Sequence, residues 1–402
     1  MASLNNYRRI IGKENFENLQ MKAKNFAKYH ILCINSTYQG GGVAEMLNSM
    51  IPMFHDFGID FGWRILHGNP DFFKVTKSFH NGLQGDKINL SERRKKIYYE
   101  TNRRFAKFTH VNNHDLVIVH DPQPLALVDF YEKKQPWFFR AHIDITHPNP
   151  IHWTYLKKFI EQYDHLIISM EKYKKDLNIP QSVIYPAIDP LCQKNKKISD
   201  KMIDSTLTKN GINIERPIIS QVSRFDKWKE PLGVIRVFEM VRQKLDCQLV
   251  LLGAFATDDP EGQHIYEKVR NKVNKSKYKK DIKLLLNGTD LMVNCLQTAS
   301  SVVIQKSLRE GFGLVVSEAL WKNTPVVASN VGGIPLQVIN GLNGFLHEPK
   351  DFRGFSESII RLLNDEKLRE EMGKNGKEHV KNNFLITRLM IDWLNVFENY
   401  LE

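Results

Sequence analysis

Short apolar runs recur along the chain, each separated from the next by a longer amphipathic or polar stretch. Residues 30–35, 61–66, 115–121, 136–141, 166–169 and 183–186 have the length and the β-branched and aromatic content of buried strands. Helical spacing fills the gaps. An amphipathic helix is expected from Gly42 to about Phe57, and a basic amphipathic helix over 90–112. Residues 5–29 read as a polar N-terminal helix or arm. Strand and helix in alternation predict a parallel, doubly wound sheet. The pattern then breaks. Pro190, a lysine-rich run and Asn210-Gly211 predict a linker with a short helix. Beyond it the alternation restarts, with apolar runs at 218–222, 248–253, 282–286, 302–304, 325–328 and 344–346. The last stretch, 385–401, carries Trp393 and Phe397 one helical turn apart and needs a surface to bury them against. The predicted organisation is an N-terminal α/β domain over 1–190, a linker over 191–216, a C-terminal α/β domain over 217–384, and a terminal helix over 385–402 packing back on the first domain.

Composition narrows the class. With 402 residues and 42% hydrophobic content, the chain is long enough for two cores. No apolar run approaches the roughly 18 residues of a membrane span. Residues 1–30 are polar and lack the apolar region of a signal peptide, so a cytoplasmic protein is expected. Cys33, Cys192, Cys247 and Cys295 are scattered without a C-x-x-C pair, which argues against a disulfide framework or a cysteine metal site. No His, Asp and Glu cluster has metal-ligand spacing either, so no metal site is expected.

The net charge of +12 comes partly from basic clusters at 93–96, 103–107, 172–175, 194–201 and 277–280. Most suit solvated helix faces and loops, and their summed potential would draw in an anionic substrate. No nucleic-acid-binding motif is present. Docking on an anionic lipid surface remains an alternative for these clusters.

The chemistry concentrates at 305–333. Gly311 and Gly313 follow Glu310 directly, an apolar helix begins near Leu314, and Glu318 lies about one turn inside it. Glycines let the backbone approach a ligand closely. The first N–H groups of the helix, around Gly313, Leu314 and Val315, have no helical partners and sit at the positive end of its dipole. That suits a phosphate or diphosphate. The carboxylates would repel the same anion, so they belong on hydroxyl groups to either side: Glu310 on sugar hydroxyls and Glu318 on ribose hydroxyls. A nucleotide-sugar fits that arrangement.

A second glycine loop, Gly40-Gly41-Gly42, also joins an apolar run to a helix, although a flexible linker would look the same. Glu45 falls in the first turn of that helix, as a cap or a sugar ligand. His120, Asp121 and Gln123 end one predicted strand, and His142 and Asp144 end another. Strand ends are where open α/β sheets place ligands. Arg224 and Lys229 follow a further strand end with Trp228 between them, and two such cations could neutralise a leaving diphosphate.

These residues, in this order, resemble the retaining glycosyltransferases of family 4, which have the GT-B fold of two Rossmann-like domains facing each other across a cleft. The resemblance covers nearly the whole chain. It is carried by the Glu310/Glu318 pair, the Arg224/Lys229 pair, the Gly40-Gly41-Gly42 loop, His142 and Gly332-Gly333. Longer stretches are similar to a narrower group: NSTYQGGGVAEML, FFKVTKSFHNGLQG, HDPQPLAL, RAHIDITHPNP, SRFDKWKEPLGVI and VIQKSLREGFGLVVSEALWKNTPVV resemble trehalose synthases that use a nucleoside diphosphate glucose, and their relatives the trehalose phosphorylases. One departure is Ser223, where the wider family commonly has glycine.

The resemblance implies a hexosyltransferase that moves glucose from UDP-glucose or ADP-glucose to glucose and forms α,α-trehalose. Glu310 would hold the donor hexose, Glu318 the ribose, and Arg224, Lys229 and the backbone at Gly313, Leu314 and Val315 the diphosphate. Gly41 and Gly42 would close over the phosphate, and His142 would contact the donor sugar near its 6-hydroxyl. Glu45, Asp144, His80 and Gln84 would serve the acceptor. No bound cofactor is implied beyond Mg2+ travelling with the diphosphate, and the partners would be small sugars and nucleotide-sugars, with a homodimer left open. A phosphorylase, or a transferase acting on a lipid or polysaccharide acceptor, are the alternatives.

Overall fold

The computed structural model describes residues 4–38, 42–254 and 262–401. In the first half the chain runs through α1 (Leu4–Ile11), α2 (Lys13–Lys24), β1 (His30–Asn35), α3 (Gly42–Asp56), β2 (Asp60–Ile65), α4 (Pro70–Leu83), α5 (Glu92–Thr109), β3 (Leu116–His120), β4 (Trp137–Arg140), α6 (Pro150–Ile160), β5 (His165–Ile168) and β6 (Gln181–Val183). Every residue of β3, β4 and β5 is buried. That explains their unbroken apolar character: a parallel sheet covered by helices on both faces has no polar side to show. All pairings are parallel, in the order β2-β1-β3-β4-β5-β6. The strand order reverses between β1 and β3, so the crevice opens beyond the carboxyl ends of those two strands.

The second half comprises α7 (Asp200–Lys209), β7 (Ile218–Arg224), α8 (Pro231–Arg242), β8 (Gln248–Ala254), α9 (Gly262–Lys275), β9 (Ile282–Leu286), α10 (Asp290–Ala299), β10 (Val302–Gln305), α11 (Leu314–Trp321), β11 (Val326–Ser329), α12 (Ile334–Gln337), β12 (Gly344–His347), α13 (Phe352–Asn364) and α14 (Glu366–Asn383). Its sheet is also wholly parallel, ordered β12-β11-β10-β7-β8-β9, with the reversal between β7 and β10. Both halves are therefore doubly wound, as the alternation predicts, although the first has the shorter 2-1-3 start and the second the full dinucleotide-fold order.

The final helix, α15 (Ile386–Phe397), buries Leu389, Met390, Trp393 and Phe397 in one cluster with Phe26 of the amino-terminal segment, Ile31 of β1, Phe61 of β2 and Phe138 of β4. The carboxyl terminus thus covers one face of the first sheet. The chain passes between halves twice, side by side: the Ile188 N–H donates to the Phe384 carbonyl (2.9 Å) and the Ile386 N–H donates to the Ile188 carbonyl (2.9 Å).

Two features are sharper in the structure. The segment 191–216, expected as a linker with a short helix, carries α7 and packs on the second domain. Leu207 of α7 and Ile212 are buried with Ile218, Val250, Leu252, Met292 and Leu296, with Ile198 and Ile203 against them. Lysines surrounding this helical stripe disguised it. The amino-terminal arm is two helices rather than one, broken at Gly12, whose φ of 84° no helix accommodates.

Candidate active site

A cleft of about 400 Å³ lies between the two domains, walled by residues at the carboxyl ends of β1, β3, β7, β8 and β10 and by the first turns of α3 and α11. Glu310 sits on its floor, buried, in the loop that leaves β10. Its Oε2 accepts hydrogen bonds from Gln305 Nε2 (3.2 Å) and Ser307 Oγ (3.2 Å), and pairs with the Lys229 ammonium. Two glycines make this placement possible. Gly313, at φ 84°, turns the chain into α11. Gly332, at φ 56°, packs so closely that a Cβ there would lie 1.8 Å from the Glu310 carbonyl.

At the start of α11 the backbone N–H groups of Leu314 and Val315 have no protein acceptor among the described residues, while the Ser317 N–H is taken by Gln337 Oε1 (3.0 Å). Two such donors at the positive end of a helix, with Lys229 lining the same cleft, suit an anion. Arg224, at the end of β7, lines the same cleft and lies 3.6 Å from Asp226 Oδ2, which is also 3.6 Å from Lys77 Nζ. Burial would raise the Asp226 carboxyl, but the Lys77 and Arg224 charges outweigh it and hold the group below the usual carboxylate range. Asp226 also caps the 227–229 turn by accepting the Trp228 N–H (2.7 Å), and so sets the direction of Lys229.

Glu318 is buried in α11, with Gln297 Nε2 at 3.4 Å and Lys194 Nζ at 3.9 Å. Lys194 bridges the domains: its ammonium lies 2.7 Å from Glu45 of α3 and 3.8 Å from Asp290 of α10. Burial alone would lower the lysine, but Glu318, Glu45 and Asp290 together raise it, so it stays charged. Glu45, with its side chain 45% exposed, is pushed up by loss of water around its carboxylate at the cleft wall and by Glu318, despite the lysine. Glu45, expected on the acceptor side, therefore stands with Glu318. The strand–loop–helix arrangement places α3 there, and a Cβ on Gly42 would touch Leu314 of α11 at 3.4 Å. Gly41 lies outside the described residues.

His80 and Gln84, at the end of α4, line the opposite end of the cleft, bonded to each other at 2.6 Å. Burial, then the charges of Lys77 and Arg224, push His80 down to about 3, so it is neutral at physiological pH. Nearby, the Trp228 indole N–H donates to Asn81 Oδ1 (3.4 Å) and Lys227 pairs with Asp86 at 2.5 Å. These contacts join the two domains across the cleft. His142 lines the cleft from the loop after β4 and meets His120 of β3 ring to ring. Asp144, expected on the acceptor side, is not among the residues that wall this cleft, and its Oδ1 accepts from the Thr146 N–H (2.8 Å) and hydroxyl (2.6 Å) in its own turn.

Sequence reasoning missed Lys194, Asp226, Gln305 and Ser307. Asp226 carried a signal, since it lies between Arg224 and Lys229. Lys194 carried none, being one lysine of a run. Among the described residues, no three His, Cys, Asp or Glu side chains gather as a metal site, and no helix is long and apolar enough to cross a membrane.

Two doubly wound domains facing each other across this cleft have the GT-B architecture, and the chain is a glycosyltransferase. Residues 33–175 match the family described as "Trehalose synthase, N-terminal domain", and residues 203–379 match "Glycosyl transferases group 1". The chain is 45% identical over 404 residues to a trehalose synthase of Thermococcus litoralis, covering 99% of this chain and 97% of that one. It thus belongs to the trehalose synthase family and is a trehalose-related glycosyltransferase, as the motifs led us to expect. A trehalose phosphorylase of Grifola frondosa is 28% identical over 439 residues, 94% of this chain and 58% of the relative. Among solved structures, a UDP-forming α,α-trehalose-phosphate synthase of Burkholderia xenovorans superposes with a TM-score of 0.74 at 13% identity, over 92% of this chain and 100% of that one, a likeness of fold.

Proposed function

We propose that the protein transfers glucose, with retention, from a nucleoside diphosphate glucose such as UDP-glucose or ADP-glucose to free glucose, giving α,α-trehalose and the nucleoside diphosphate. The observation that carries this is the meeting of Lys229 with Glu310 beside the open N-terminus of α11. Cation, helix start and sugar-facing carboxylate converge where a sugar–phosphate bond would lie.

In this scheme Glu318 takes the ribose hydroxyls, and Arg224, Lys229 and the Leu314 and Val315 N–H groups take the diphosphate. Glu310 holds the hexose hydroxyls, Gly42 closes over the phosphate, and His142 faces the 6-hydroxyl end of the donor. His80 and Gln84 receive the acceptor, and Glu45 acts with Lys194 at the ribose end. As the C1–O bond to phosphate breaks, charge builds on the diphosphate, and the fixed cations and backbone donors stabilise it without reorganising. The acceptor oxygen bonds to C1 on the same face, and its proton passes to the departing phosphate oxygen. No protein nucleophile is used, no bound cofactor is invoked, and Mg2+ would enter only with the diphosphate. The contacts across the cleft exclude water that would otherwise take the glucosyl group. A cytoplasmic enzyme with sugar and nucleotide-sugar partners is the corresponding setting.

A phosphorylase is the second reading. It is favoured by the phosphorylase relative and by an anion site that would accept inorganic phosphate equally well. The test is a pair of incubations, one with UDP-glucose or ADP-glucose plus glucose, the other with trehalose plus phosphate. Trehalose and stoichiometric nucleoside diphosphate from the first support the transferase. Glucose 1-phosphate from the second, with no turnover in the first, replaces it by the phosphorylase.

A further inference from the structure

His120 ends β3 and is wholly buried, yet it lines the wall of the cleft. Its Nδ1 lies 2.9 Å from His142 Nε2, with the two rings inclined by only 14°. The neighbouring Asp121, at φ 62°, accepts the His142 backbone N–H on Oδ1 (2.9 Å). One corner of β3 therefore fixes both the backbone and the ring of His142. On the other side, Gly311 packs against the His142 carbonyl. The backbone of His142 has no room to move, so what remains open is where its ring proton sits.

Both rings are neutral. Burial, then the Arg140 charge, pushes His120 down to about 3, and the same causes, with His120 added, hold His142 well below the ordinary histidine value. A neutral imidazole has one N–H and one bare nitrogen. Two proton arrangements can then make the bond. If His142 donated from Nε2, the His120 proton would reside on its own Nε2. That atom is buried and has no hydrogen-bond partner among the described residues. A buried N–H left without an acceptor is rarer and more costly than a bare lone pair left without a donor. The opposite arrangement leaves only the lone pair.

We infer that His120 donates its Nδ1–H to His142 Nε2 and thereby holds His142 in the tautomer that presents an Nδ1–H donor to the ligand. His120 is a positioning residue: it acts through His142. The His142 Nδ1 makes no hydrogen bond with a described residue and is not among the buried orphaned atoms. In this tautomer His142 donates to a hydroxyl oxygen and has no lone pair with which to take a proton, which excludes it as a general base. The identity of that oxygen, on the donor glucose, rests on the function proposed above. The tautomer does not.

The test is a long-range 15N–1H correlation spectrum of the full chain labelled in its histidines, with the His142 signals assigned by their loss in His142→Asn. A protonated Nδ1 and a bare Nε2 at His142 are expected. A protonated Nε2 overturns the inference, whether or not the protein makes trehalose. In the kinetic arm, His120→Leu should lower kcat/KM by about tenfold, the size of one hydrogen bond. His120→Asn, whose amide nitrogen takes the Nδ1 position, should recover much of the loss. Wild-type kcat/KM in His120→Leu also overturns the inference. If His120→Leu does not fold, the wild-type spectrum decides alone.

Discussion

Gly311 packs directly against the backbone of the other domain at the site. A Cβ added there would lie 2.4 Å from the His142 carbonyl oxygen, where ordinary contact begins at 3.4 Å, so the faces must part by about 1 Å. Both partners are backbone, and neither can rotate away. Gly311 is not among the positive-φ glycines, so alanine brings no backbone strain of its own. Gly311→Ala thus changes one quantity, the distance between Glu310 on one domain and His142 on the other. A misplacement of about 1 Å at a reacting centre costs roughly a hundredfold, or about 2.7 kcal/mol of transition-state stabilisation. Ile143 and Phe312, the next residues along on either side, belong to the apolar clusters of their own domains, so the melting temperature is read alongside activity to separate lost packing from lost alignment. In the proposed scheme nucleoside diphosphate affinity rests mainly on Arg224, Lys229 and Glu318 of the second domain, and it should change by no more than about 0.5 kcal/mol. Steady-state kinetics, calorimetric melting and nucleotide titration on the same preparation separate these effects. Wild-type kcat/KM in Gly311→Ala would refute the reasoning, as would a loss of activity matched by an equal loss of nucleotide affinity.

Other perturbations follow from the same geometry. Lys229→Met removes a charge-assisted contact worth about 1.5–3 kcal/mol and should lower kcat/KM roughly ten- to 150-fold in donor-saturation kinetics. Trp393→Ala empties a wholly buried site in the cluster that attaches α15 to the first sheet, and should cost about 3–5 kcal/mol in urea unfolding. Acid should weaken the fold through His120. Its folded pKa, about 3, lies below the unfolded value of about 6.5, so its contribution is complete above pH 6.5 and is lost as pH falls. Between pH 7.5 and 5 this one histidine removes about 2 kcal/mol, readable as a lower urea midpoint that His120→Asn should partly restore.

The parts of the fold that could be read along the chain are those whose signal is local. Continuous apolar runs such as 116–119 announce strands buried on both faces, and Glu310-Gly311-Phe312-Gly313 announces a loop feeding a helix start. The site's electrostatics are not local. Lys77 meets Asp226, and Lys194 meets Glu45, only because two sheets built from distant segments face each other. Asp144 shows the limit from the other direction. A carboxylate just past a strand looks the same in sequence whether it faces a cleft or closes its own turn on Thr146. The stripe of Ile198, Ile203, Leu207 and Ile212 was hidden by lysines, since charge density marks exposure only for the faces that carry it. His120 and His142 could each be suspected as strand-end residues, but their bond depends on the parallel register that sets His120 beside Arg140.

Retaining transfer of glucose to glucose is tested most directly with a nucleoside diphosphate glucose carrying 13C at C1 of the sugar, unlabelled glucose as acceptor, and NMR of the products. One labelled α-configured ring per trehalose, with one nucleoside diphosphate released for each, is the predicted result. A β-configured label, labelled free glucose in place of a disaccharide, or a donor left unconsumed would contradict it.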